Sequence, residues 1–136
     1  MNRIVILGSS LEALQQGHMS LDENISAKIT IYTEDAEPGF PDVEVFEEAE
    51  LEKSLRSIPE GWVASIPDVI GRKEESAVAY SWLSKAMAMR LAQRGGQFQV
   101  RTSILSIDEK LQEISFRGGG RVSSGVDCYD ELYDYR

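Results

Sequence analysis

The chain has 136 residues and a formal net charge of −9 at pH 7. With 42% apolar and 27% charged residues it has the composition of a globular protein, and its length is typical of one domain. The longest apolar run, Ile4 to Leu7, is too short for a membrane span or a secretory signal. The single cysteine, Cys128, cannot form an internal disulfide. We therefore expect one domain over residues 1–136, no membrane association and a cytoplasmic location.

The negative charge is concentrated in one part of the chain. Residues 34–60 contain ten acidic and two basic residues, whereas residues 61–136 contain ten of each sign without a basic stripe. This distribution excludes nucleic acid as the expected partner. A solvent-exposed acidic helix face explains the excess, and a basic partner protein is the alternative.

The first 35 residues have the pattern of a βαβ unit. Arg3 to Leu7 is a β-branched run typical of a strand buried on both faces, and it ends at Gly8. Lys28 to Tyr32 predicts a second strand, parallel to the first. Between them Ser9 or Ser10 caps a helix. Its apolar side is formed by Leu11, Leu14, His18 and Leu21.

The rest of the chain predicts a second helix and a set of shorter elements. Ser76 to Arg94 has a helical apolar stripe that stops at Gly95 and Gly96. The other expected elements are a short acidic helix with Leu51, Leu55 and Ile58 on one face, a strand over Trp62 to Ile66, a hairpin of Gln97 to Ile107 with Glu113 to Arg117, and an apolar segment over Cys128 to Tyr133.

The turn after the first strand, Gly8 to Ala13, resembles the dinucleotide fingerprint G-x-G-x-x-G/A. Gly8 and Ala13 match its first and third positions, and Ser10 replaces the middle glycine. The serine would either crowd a pyrophosphate or donate its hydroxyl to one. The resemblance implies a cofactor site formed by Gly8, Ser9, Ser10, Leu11, Ala13, Glu34 and Asp35.

The order of the elements is similar to the N-terminal FAD/NAD(P)-binding portion of FAD-dependent oxidoreductases. The similarity extends through the helix ending at Arg94, the hairpin, and Tyr129 to Leu132, which resembles the closing Y-D-x-L strand of that family. Asp134-Tyr135-Arg136 stands in place of the A-T-G that follows it there. The resemblance implies an α/β Rossmann-like three-layer domain with a parallel sheet and a β-hairpin or meander insertion, and it covers only the beginning of such an enzyme.

The resemblance leaves two functions open. In the first, the chain binds FAD, or NAD(P) as the alternative, with Glu34 or Asp35 on the ribose; Thr33 stands where the family has its glutamate. Catalysis of the oxidoreductase type is uncertain, because a flavin ring would lie largely in water. In the second, a non-catalytic interaction or regulatory protein keeps the scaffold without the cofactor. We further expect a homodimer, or a partner protein, to cover the surface that packs against further protein in the longer enzymes that the chain resembles.

The remaining reactive side chains favour structural roles. His18 lies on the apolar side of its helix, and Cys128 is a lone thiol in a strand. With one histidine and one cysteine we expect no metal site of the zinc type. Met87 and Met89 are interpreted as helix packing. Four acids could approach a cation but are interpreted as solubilising: Asp127, Asp130, Glu131 and Asp134.

Overall fold

The computed structural model describes residues 2–36, 59–63, 76–118 and 124–136. In chain order the described elements are β1 (Arg3–Leu7), α1 (Leu11–Glu23), β2 (Lys28–Tyr32), a short 3-10 helix (Glu60–Trp62), α2 (Ser76–Gln93), β3 (Gln97–Gln99), β4 (Thr102–Asp108), β5 (Glu113–Gly118), β6 (Ser124–Cys128) and β7 (Glu131–Asp134). No helix within these ranges is long and apolar enough to cross a membrane.

A four-stranded parallel sheet forms the middle layer, with the strand order β3-β2-β1-β7. Strand β1 pairs in parallel with β2 on one side and with β7 on the other. Its side chains are buried on both faces, as the run without alternation predicts. Ile4 and Ile6 pack against the helices, and Val5 and Leu7 pack on the opposite side. The βαβ unit predicted for the first 35 residues is therefore confirmed.

Helices α1 and α2 form one outer layer and approach each other closely at Gly17. A Cβ added to Gly17 would lie 2.7 Å from Cδ2 of Leu91, so a larger residue would require the Leu91 side chain to move. Leu14, Met87 and Leu91 are fully buried between the helices and the sheet. The glycine lowers the helix propensity of α1 and in exchange permits this contact.

The other outer layer is a three-stranded antiparallel sheet with the order β4-β5-β6. Ile114 of this sheet is fully buried against Val5 and Leu7. The Tyr32 hydroxyl donates to Oδ2 of Asp127 at 2.6 Å, and the Tyr32 ring packs on Phe116 at a centroid distance of 5.1 Å. The two sheets and the helices form the three layers of the predicted Rossmann-like fold, with the meander as the third layer.

Three predictions on local structure need correction. The strand predicted over Gln97 to Ile107 is two strands, because the chain leaves the parallel sheet after Gln99 and turns through Arg101, whose φ is 50°. Trp62 ends a 3-10 helix, so the strand predicted over Trp62 to Ile66 does not start there, and residues 64–66 lie outside the described residues. Met89 is 57% exposed, so only Met87 packs in the core. The predicted acidic helix, including Leu51, Leu55 and Ile58, lies outside the described residues.

Candidate functional site

A cleft of about 630 Å³ opens at the carboxyl ends of β1, β2 and β7. Strand β1 continues through α1 to β2 on one side, while β7 lies on its other side, so the cleft is at the point where the strand order reverses. Ligands of open α/β sheets bind at such points. Six of the seven predicted site residues line the cleft: Gly8, Ser9, Ser10, Leu11, Glu34 and Asp35. Ala13 is fully buried and belongs to the core.

Gly8 makes the sharp turn from β1 into the cleft. Its φ is 103°, which favours glycine, and its amide donates to the Tyr32 carbonyl at 2.8 Å. A Cβ at this position would lie 3.2 Å from the carbonyl oxygen of Tyr135. The backbone conformation therefore favours glycine at this position, and the close approach of Tyr135 adds to that preference.

Ser10 is the N-cap of α1. Its Oγ accepts a hydrogen bond from the Ala13 amide at 3.3 Å, and its carbonyl accepts the first helical bond from Leu14. The amides of Leu11 and Glu12 precede that bond and have no acceptor within the helix. These two amides lie at the positive end of the helix dipole, and Ser10 and Leu11 line the cleft. Since the Ser10 side chain is exposed and uses only its oxygen, its hydroxyl proton is available to a ligand.

A hydroxyl and carboxylate cluster joins this turn to the end of β2. The Ser9 and Thr33 hydroxyls lie 3.0 Å apart, and each is within hydrogen-bonding distance of Asp35 Oδ2, at 3.1 and 3.2 Å. Ser9 and Thr33 are buried, whereas Asp35 is exposed. Thr33 directly follows β2, where the resemblance expects a glutamate. The cluster holds Asp35 at the cleft through one carboxylate oxygen.

The segment after β7 forms the opposite side of the cleft. The Tyr135 amide donates to the Leu7 carbonyl at 2.8 Å, so this segment continues alongside β1. Arg136 makes two side-chain hydrogen bonds to Asp134, Nε to Oδ1 at 2.9 Å and an Nη to Oδ2 at 2.8 Å. These bonds outweigh partial burial and lower the pKa of the Asp134 carboxyl, which is therefore ionised at neutral pH.

Sequence reasoning missed several cleft residues. Ser84 of α2 and Thr102 and Ile104 of β4 line the cleft, although they are distant from the fingerprint in sequence. Ser84 is 2% exposed, and among the described residues its hydroxyl has no hydrogen-bond partner. No local signal marks these positions, because α2 and β4 reach the cleft only through the tertiary fold.

His18 lies outside the cleft, in a buried polar network. Its Nδ1 is 2.9 Å from a guanidinium nitrogen of Arg94, and its Nε2 is 2.9 Å from the Met87 carbonyl. Arginine only donates and a carbonyl only accepts, so the ring is neutral with its proton on Nε2. Arg94 also donates to Asp22 at 2.6 Å, and Trp62 stacks on His18 at 5.6 Å. The structural role predicted for His18 is confirmed.

The acids weighed as cation ligands have other contacts. Asp127 accepts from Tyr32, and Asp130 accepts from the Arg3 amide at 2.7 Å. Within the described ranges no group of three His, Cys, Asp or Glu side chains is placed to hold a metal ion. Cys128 ends β6 and is half-buried.

Neither protein-family models nor curated proteins match the chain, whereas solved structures do. A water-forming NADH oxidase from Lactobacillus brevis, solved with NADH bound, matches with a TM-score of 0.60 and 15% identity over 98% of this chain and 24% of that one. A pyridine nucleotide-disulfide family oxidoreductase from Enterococcus faecalis V583 matches with a TM-score of 0.58 and 16% identity, over 98% of this chain and 22% of that one. A NAD-dependent persulfide reductase from A. fulgidus matches with a TM-score of 0.57 and 13% identity, over 97% of this chain and 21% of that one.

These matches confirm the fold that the resemblance implies. The chain has a Rossmann-like α/β fold similar to a portion of each of these three proteins, and it spans 21% to 24% of their length. At 13% to 16% identity the likeness is one of fold.

Proposed function

We propose that the chain binds the ADP part of a dinucleotide, FAD or NAD(P), in the cleft at the carboxyl ends of β1, β2 and β7. One observation carries the proposal: the tight Gly8 turn leads into a capped helix N-terminus that opens on a cleft of about 630 Å³ at the point where the strand order reverses. That volume lies within the range of roughly 300 to 1,000 Å³ of ordinary ligand sites.

The residues of the cleft divide into two groups by the ligand part that they suit. The Leu11 and Glu12 amides and the Ser10 hydroxyl are donors at the positive end of a helix, which suits the diphosphate. Asp35 is the better placed acid for the ribose, since Ser9 and Thr33 hold one of its oxygens and leave the other free to accept from a ribose hydroxyl. The Glu34 side chain is exposed beside it.

The proposal concerns binding, with redox catalysis left to further protein. Among the described residues that line the cleft there is no histidine, cysteine or lysine. In an oxidoreductase of this kind the cofactor performs the reaction and the protein supplies its position and its electrostatic surroundings. We propose that this chain supplies the nucleotide position only.

A specific observation also favours the second function, an interaction or regulatory protein that keeps the scaffold without the cofactor. The chain's own side chains already make hydrogen bonds at the cleft: Ser10 Oγ accepts from the Ala13 amide, and one Asp35 carboxylate oxygen accepts from Ser9 and Thr33. Such internal contacts stabilise an empty cleft.

Two measurements separate these functions. The absorbance spectrum of the purified protein shows a visible flavin band if FAD is retained. A thermal scan with millimolar FAD, NAD or ADP is expected to raise the melting temperature, since a ligand that binds only the folded state stabilises it. No shift with any of the three, together with a colourless protein, would leave the interaction protein as the function.

We also propose that the chain forms a homodimer. Among the described residues β7 pairs with one strand only, and Leu105 and Val126 of the antiparallel sheet are each 62% exposed. A twofold contact through such a strand edge or apolar face is a common way to cover it. Light scattering coupled to size exclusion should return twice the chain mass at micromolar concentration, and a monomeric mass over that range would rule the dimer out.

A further inference from the structure

Arg136 is the only basic residue among the described residues that line the cleft. Its backbone lies directly beside the fingerprint turn, because a Cβ on Gly8 would be 3.5 Å from the Arg136 amide nitrogen. The bond from the Tyr135 amide to the Leu7 carbonyl holds this segment against β1. Arg136 therefore joins the fingerprint turn at the cleft, with its guanidinium on the Asp134 carboxylate.

The charge balance of the cleft makes this position decisive. Among the described residues, three side-chain carboxylates line the cleft, those of Glu34, Asp35 and Asp134. A diphosphate adds further negative charge, which like charges at short range disfavour. The helix N-terminus offsets only part of this repulsion, since the macrodipole corresponds to about half an elementary charge. Among the described residues that line the cleft, Arg136 is the one side chain whose charge can offset the remainder.

The present partner of Arg136 is weakly held. The Arg136 and Asp134 side chains are 46% and 43% exposed, and ion pairs exposed to this extent contribute little to stability. The planar guanidinium binds carboxylates and phosphates through the same pair of parallel hydrogen bonds. A phosphate can thus take the place of the Asp134 carboxylate without any change in the geometry of the donor.

We propose that Arg136 is the diphosphate-binding residue of the cleft, and that Asp134 competes with the ligand for its guanidinium. This inference rests on the proposed binding of a dinucleotide and adds which part of the ligand is recognised by which side chain. Affinity for adenosine is independent of Arg136, whereas affinity for ADP depends on it.

The test is a titration of ¹⁵N-labelled full chain with adenosine and with ADP, followed by NMR through the amides of Gly8, Ser10 and Leu11. Three variants are compared with the unchanged chain. Arg136→Gln removes the guanidinium, and Asp134→Asn removes the competing charge while keeping the side-chain shape. Arg3→Gln is the matched control, since Arg3 is an exposed arginine that pairs with Asp130 at the opposite end of the sheet.

Arg136→Gln is expected to weaken ADP binding by about tenfold or more, the value of a hydrogen bond to a charged group, and to leave adenosine binding unchanged. Asp134→Asn should strengthen ADP binding by about two- to fivefold, the value of an exposed ion pair. Arg3→Gln should bind both ligands as the unchanged chain does. The amide spectra without ligand show whether each variant is folded.

The other outcomes are distinct. If ADP shifts these amides equally in Arg136→Gln and in the unchanged chain, the role of Arg136 is refuted while the proposed function stands. If Asp134→Asn weakens ADP binding, Asp134 does not compete. If neither adenosine nor ADP shifts these amides in the unchanged chain, the proposed function fails and the role of Arg136 fails with it.

Discussion

Polar groups in the two halves of helix α1 differ in how completely their hydrogen bonds are satisfied. Near its carboxyl end, His18 is fully buried and both of its ring nitrogens have partners, and Asp22 accepts from Arg94 and from Trp62. At its amino end, Ser10 is exposed and lines the cleft, and the amides of Leu11 and Glu12 have no acceptor within the helix. One helix therefore carries a closed polar network and an open one. Unfilled hydrogen-bonding capacity, more than residue type, therefore distinguishes the candidate site from the His18 network.

The largest expected effect comes from breaking the closed end. His18→Ala leaves a cavity and removes the acceptor of an Arg94 hydrogen bond, so the free energy of unfolding should fall by about 2 to 4 kcal/mol. Met19→Ala is the control on the same helix, because Met19 is 45% exposed, and it should change stability by less than about 0.5 kcal/mol. Urea denaturation measures both variants. Similar values for the two would mean that the network contributes nothing beyond ordinary packing.

At the open end, Gly8→Ala should be the most damaging change. Alanine at a φ of 103° is strained and meets the Tyr135 carbonyl, so we expect a loss of about 1 to 3 kcal/mol. Gly95→Ala supplies the control, since Gly95 has a φ of 99° but no atom within 4 Å of the added Cβ. The difference between the two melting curves isolates the crowding at the turn. Equal losses would show that the backbone conformation alone requires glycine at position 8.

Ser10 gives a smaller effect that tests the cap and the cleft together. Ser10→Ala removes the bond to the Ala13 amide and should cost about 1 kcal/mol, whereas Ser10→Gly should cost a few tenths. ADP binding by the glycine variant should rise if the serine crowds a phosphate, and binding by the alanine variant should fall if the hydroxyl donates to one. Thermal unfolding with and without ADP measures both quantities. An alanine variant as stable as the unchanged chain would contradict the capping role.

The smallest effect is a pH dependence confined to the closed end. Burial, only partly opposed by the hydrogen bond to Met87, lowers the pKa of His18 below 6.5 in the folded protein. The unfolded chain then takes up its proton first as the pH falls, so stability should be constant above the unfolded pKa and decline as the pH falls through 6.5 and below. In His18→Gln this decline between about pH 7 and 5.5 should disappear. An identical slope in the variant would assign the pH dependence to other groups.

The sequence predicted the parts of the fold that local pattern controls. The β-branched runs of β1 and β2 and the stripes of α1 and α2 carry their periodicity in a few adjacent residues, so their bounds agree with the structure to within one or two residues at most ends. The split of Gln97 to Ile107 was missed because it depends on distant partners. After β3 the chain leaves the parallel sheet, and the Arg101 amide donates to the Asp35 carbonyl while the Thr102 amide donates to the Thr33 carbonyl. No local sequence pattern encodes these contacts.

The candidate site divides in the same way. The Gly8 turn and the Ser10 cap follow from adjacent residues, and both were predictable. Other parts of the site depend on strands and helices that are far apart in the chain. These parts are the hydrogen bonds from Ser9 and Thr33 to Asp35 and the positions of Ser84 and Thr102 at the cleft. The pairing of Arg136 with Asp134 is local, yet its relation to Gly8 appears only once β7 lies beside β1.

The pairing of β1 with β7 has a consequence for how the protein is made. The Arg3 amide bonds to Asp130, 127 positions further along the chain, and Ile4 to Leu7 pair with Glu131 to Asp134. A ribosome therefore releases the Gly8 turn long before it releases the strand that completes the cleft. Contacts between such distant segments form late and slow folding. During translation the nascent chain would have the Gly8 turn but not yet β7 beside it. A nucleotide that binds the cleft could therefore stabilise the protein only after β7 has docked.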